Sequence, residues 1–78
     1  MMLSPEEYYE YFLKGKNVQQ IKARIRQLNR EIRRLKKIIG APGYAPAICP
    51  SEDVQLICYQ EYLSLARQVL AENEEATR

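Results

Sequence analysis

Seventy-eight residues, 46% of them hydrophobic, make a single domain near the lower size limit for unaided folding and exclude a disordered tail. Histidine is absent, and Cys49 and Cys58 lack the paired spacing of a zinc site, so neither a metal nor a cofactor is expected. The net charge of +2 conceals a segregation into an acidic start, a basic middle and an acidic end, which points to an anionic partner or to neighbouring copies of the chain.

The first element is read from Ser4-Pro5-Glu6-Glu7, where Ser4 caps, Pro5 suits the first helical position and Glu7 completes a capping box. Gly15 stops the helix, which is expected over about 5–14. Tyr8, Tyr9, Tyr11 and Phe12 crowd into it. At α-helical spacing Tyr8 and Phe12 share a face with Tyr11 beside them, and Tyr9 and Leu13 lie opposite. So short a helix is marginal alone, and aromatics on both sides imply wedging between packed surfaces.

The second helix is expected over 18–39, capped by Asn17 with Gln20 as the reciprocal partner. Val18, Ile21, Ile25, Leu28, Ile32, Leu35 and Ile39 repeat at alternating spacings of three and four, a continuous apolar seam along about 33 Å. Between residues 16 and 39 nine basic side chains face Glu31 alone. Arg26, Arg30, Arg33, Arg34 and Lys37 form a ridge opposite the seam, with Lys22, Arg24 and Lys36 on its shoulders.

Residues 40–50, GAPGYAPAICP, hold three prolines and two glycines and form an irregular connection, expected to pack down through Tyr44, Ile48 and Cys49. Ser51 then caps a third helix over about 52–72, with Glu52 and Asp53 at its positive end. Val54, Cys58, Tyr62, Leu65 and Val69 make one apolar face, and Tyr59, Leu63, Ala66 and Leu70 an adjoining one. Together they are wider than one neighbouring helix needs. The tail 73–78 is expected to fray.

The fold class is therefore all-α: a short N-terminal helix followed by an antiparallel hairpin of two long helices. The surplus apolar surface predicts a homo-oligomer. No signal-peptide pattern and no apolar run near about 18 residues occur, so a reducing cytoplasmic setting with no membrane partner is expected. Without histidine, an activated cysteine or a phosphate loop, the chain reads as a non-enzyme.

Function is sought in binding. Guanidinium groups favour phosphate because their planar donors engage two oxygens at once. Tyrosine adds a flat apolar face with a hydroxyl handle for stacking. The basic ridge is equally explained as a solvated face, or as the complement of the acidic first and third helices inside an oligomer.

The run SPEEYYEYFLKGK, the basic helix, the proline-rich turn and CPSEDVQLICYQEYLSLARQVLAE together resemble small proteins of phages and prophages of Gram-positive bacteria. The helix order is also similar to that of phage anti-CBASS sponges. That resemblance implies an anti-defence protein in the cytoplasm of an infected or lysogenic host, sequestering a cyclic nucleotide between subunits. It implies Tyr8 or Tyr11 as stackers and Lys22 or Arg26 as phosphate partners; Arg30 and Arg33 are further candidates from the basic ridge itself. Two alternatives remain open: a nucleic-acid-binding regulator that uses the basic helix, and an inhibitor or adaptor that presses the ridge onto an acidic face of a host protein.

Overall fold

The computed structural model describes residues 2–76. Among the described residues it is all-helical: α1 (Pro5–Tyr8), a π-helical turn (Tyr9–Leu13), α2 (Val18–Ile39) and α3 (Glu52–Ala76). No helix among these residues is long and apolar enough to cross a membrane.

Two reciprocal caps start the first two helices. Ser4 Oγ accepts the Glu7 N–H at 3.2 Å, and Glu7 Oε1 accepts the Ser4 N–H at 3.0 Å. Asn17 Oδ1 accepts the Gln20 N–H at 2.8 Å, while Gln20 Oε1 accepts the Asn17 N–H at 3.0 Å. Each pair satisfies two backbone donors that would otherwise have no partner inside the helix. Gly15 separates the two units with φ +72°, a left-handed conformation that a Cβ disfavours.

The first helix departs from the expected continuous α geometry. After Tyr8 the ladder widens, and the Lys14 N–H reaches back five residues to the Tyr9 carbonyl at 2.8 Å. Each residue in such a turn advances by less than the 100° of an α-helix. Leu13, expected opposite Tyr8, swings onto the Tyr8 side and becomes almost fully buried at 1% exposure. Tyr11 points outward at 66% exposure. Burying Leu13 together with Tyr8 is the physical reason for the departure: a regular α-helix would have left one of the two in water.

α3 packs back along α2. The shared core holds Ile21 and Leu28 from α2 with Tyr62, Ala66 and Val69 from α3, and α1 with its π turn covers it through Tyr8 and Leu13. Ile32 and Leu35 continue the buried seam toward the connection, beyond the reach of α1. Val54 and Ile57, near the start of α3, are left 46% and 58% exposed, because none of the described residues covers them. Val54, expected on the packed face, is therefore a surface residue.

α3 runs to Ala76, four residues beyond the expected end at 72. Glu74, Glu75 and Ala76 are good helix formers and carry the helix on. Residues 73–76 of the expected frayed tail are thus helical, and 77–78 lie outside the described residues. In the connection Tyr44 is half-buried, whereas Ile48 at 58% exposure and Cys49 face solvent, so of the three residues expected to pack down only Tyr44 does. Both cysteines are free thiols.

Candidate functional site

Three sequence strips meet at one groove. On α2 the positions 24, 27, 28 and 31 line one side of the helix and supply Arg24, Gln27, Leu28 and Glu31. On α3, Tyr59 and Tyr62 are three residues apart and share a face. From the first helix come Tyr8 and Phe12. Because α1 and its π turn rest chiefly on α3, a gap remains beside α2, with a volume of about 630 Å³. Met2 and Leu3 complete its lining, and Arg30 joins it from the outer side of α2.

The floor is aromatic and rigid. Tyr8 and Tyr62 lie parallel, with centroids 4.3 Å apart and planes 4° from coplanar. Tyr59 meets Tyr62 edge-on at 5.8 Å and 88°, and Phe12 tilts against Tyr8 at 4.9 Å. The Tyr62 hydroxyl donates to the Leu3 carbonyl, which ties the segment before α1 to α3. These arrangements are the favoured offset and edge geometries of ring quadrupoles, each contributing about 0.5–1.5 kcal/mol beyond area burial.

The rim is polar. Arg24 places its guanidinium carbon 4.5 Å from the Phe12 ring centroid and donates to Gln27 Oε1 at 2.8 Å. The cation–π contact fixes the guanidinium over the groove without an acid to neutralise it. Glu31, the one acidic residue of the lining, is held by Arg34 at 2.9 Å. The groove therefore presents aromatic surface beside uncompensated positive charge.

Tyr8 carries the strongest chemical signature. The residue is 5% exposed, and its buried hydroxyl has no hydrogen-bond partner among the described residues. Burial pushes its pKa up to about 12, opposed by the nearby Arg24 charge and reinforced by Tyr59 and Tyr62. Burial also raises Tyr62, with Cys58, Tyr59 and the acids Glu61 and Glu7 adding to it. At neutral pH both phenols are protonated, so these two rings contribute neutral aromatic surface and no phenolate.

The structure sorts the residues anticipated from sequence into three groups. Tyr8 and Arg30 come together at the groove, Tyr8 in its floor and Arg30 at its margin. Arg26, Arg30 and Arg33 come together in a second, shallower depression of about 610 Å³, with Asn29, Ile32 and Lys36. Tyr11 and Lys22 line neither depression. One face of Tyr8 is already taken by Tyr62, so Tyr8 shapes the groove more than it offers a free stacking surface. Arg24, Phe12, Tyr59 and Tyr62 were not anticipated as site residues. No sequence signal singles them out, because which rings meet Arg24 depends on where the first helix docks.

Among the described residues no group of three or more Cys, Asp and Glu side chains could hold a metal ion. No protein-family model, no curated protein and no solved structure matches the chain.

Proposed function

We propose that the chain is a non-enzymatic binding protein whose groove takes a small anionic nucleotide. The observation that carries this reading is the juxtaposition of four aromatic rings with Arg24 and Arg30 in one groove. A nucleobase needs flat apolar walls, its phosphate needs a guanidinium within reach, and both lie within the same groove. The groove volume falls within the range of about 300–1,000 Å³ usual for small-molecule sites.

Sequestration requires binding alone, so the phage-type anti-defence role implied by the sequence resemblance belongs to the same proposal. So does an oligomer in which a second copy closes the open side of the groove. The open mouth of the groove leaves room for that copy, and the exposed Ile48, Val54 and Ile57 at the connection end support association of copies more generally.

Isothermal calorimetry against mononucleotides and cyclic di- and trinucleotides tests it. Heats that saturate for at least one ligand, and that fall about tenfold in affinity in Arg24→Ala, are expected. Flat heats across the panel would reject the proposal.

A further inference from the structure

Arg30 belongs to two depressions at once. It borders the aromatic groove on one side and, on the other, the basic depression formed with Arg26, Arg33 and Lys36. The two are therefore neighbouring segments of one surface that runs from the Phe12–Arg24 contact across the outer side of α2.

The second segment is chemically unlike the first. Arg26, Arg33, Lys36 and the adjacent Lys37 are exposed, and among the described residues they make no ion pair. Arg34 differs, since Glu31 neutralises it. From Arg26 to Lys37 the track spans about 16 Å along the helix at 1.5 Å per residue. Ile32, 7% exposed, gives the depression an apolar base between the charges. Aromatic surface at one end and a line of unneutralised cations leading away from it is the combination that single-stranded nucleic acid needs. A base occupies the aromatic end, and the phosphodiester backbone follows the charges.

The geometry points to a single-stranded oligonucleotide as the full ligand, with one base in the groove and its backbone passing over Arg30 onto Arg26, Arg33 and Lys36. This rests on the nucleotide reading of the groove and extends it. A mononucleotide fills only the first segment, so affinity should climb with each phosphodiester until the track is full, then level off. Three or four neutralised phosphates would give a log–log salt slope of about −2 to −3, at about 0.7 per contact.

Fluorescence anisotropy with labelled thymidine monophosphate and oligothymidylates of two, four and six nucleotides provides the test, with polyglutamate as competitor. The expected result is a gain of at least about tenfold from the mononucleotide to the tetramer at low salt. That gain should vanish in Arg33→Glu/Lys36→Glu while mononucleotide binding is retained; circular dichroism confirms that the variant stays folded. Phe12→Ala should weaken every length. Mononucleotide binding with no gain over length would overturn the inference and leave the groove reading standing. Length-dependent binding untouched by Phe12→Ala would separate the two segments and overturn both. Equal competition by polyglutamate would reduce the track to a generic polyanion surface, which also overturns the inference. No binding at any length would overturn both readings.

Discussion

At the residue scale, Tyr8 and Arg24 play opposite parts. Tyr8 has a buried hydroxyl with no partner among the described residues, a cost that removing the oxygen would relieve. Tyr8→Phe is therefore expected to be neutral or to stabilise by up to about 1 kcal/mol in urea denaturation at pH 8. Its pH dependence carries a sign. The unfolded tyrosine ionises near pH 10 while the folded one holds its proton to about 12, so its contribution is intact below 10 and is lost as pH rises from there to 12. Denaturation at pH 9 and pH 11 should show a steeper loss in the parent than in Tyr8→Phe; equal slopes would contradict the assigned burial. Arg24 is only half-buried and is held by a ring face and an amide, contacts worth about 0.5–1 kcal/mol in exposed settings. Arg24→Ala should shift stability by less than about 1 kcal/mol while reducing nucleotide affinity. The basic residues were legible in sequence as a helical stripe. Which arginine touches an aromatic ring was not, because that depends on how the Gly15 turn sets the first helix against α2 and α3.

Element by element, the long helices were readable and the short one was not. A seam repeating every three and four residues has one way to be buried, and two capping boxes mark where helices begin. The first helix has too few residues for periodicity to decide, and its geometry is set by the surface it covers. Tertiary packing widened it into a π turn so that Tyr8 and Leu13 could be buried together. Two substitutions expose that arrangement. Leu13→Ala, at a 1% exposed site, should cost about 2–5 kcal/mol, whereas Tyr11→Ala, at 66% exposure, should stay within about 0.5 kcal/mol. Thermal melts of both variants check the contrast, which a regular α-helix would not predict. The far end of α3 differs for the opposite reason: glutamate-rich sequence suggests solvation and fraying, but helix propensity carries the element to Ala76.

The whole molecule is elongated, measuring 50 × 20 × 14 Å with a radius of gyration of 14.2 Å. A compact chain of this length would have a radius near about 11.5 Å. Its accessible surface is 5555 Å², against about 4,900 Å² for a typical monomer of its mass. The excess, about 650 Å², approaches the roughly 800 Å² that each partner contributes to a standard interface. The connection end, with Ile48, Val54 and Ile57, is where that excess is most apolar. Sedimentation equilibrium is expected to return more than the 9.1 kDa of one chain, and Ile57→Glu to move the mass toward it. A parent protein at 9.1 kDa across micromolar concentrations would remove the oligomer from the proposal. The wide apolar surface read on α3 is, apart from Val54, buried or half-buried against α2 and the first helix, whereas the exposed Ile48 and Ile57 lie outside the two faces read from the sequence.

The π turn also changes how chain length is counted in this fold. Its five-residue hydrogen bond, from the Lys14 N–H to the Tyr9 carbonyl, accommodates one residue more than an α turn. Remove Glu10, and Leu13 falls four positions after Tyr8 while Phe12 falls three, both intervals that share a face in an ordinary α-helix. The exposed Glu10–Lys14 pair lost with it is worth little. A chain one residue shorter should therefore keep the same anchors in the same places. A relative lacking that residue would superimpose on this chain across a single-residue gap inside a helix instead of in a loop.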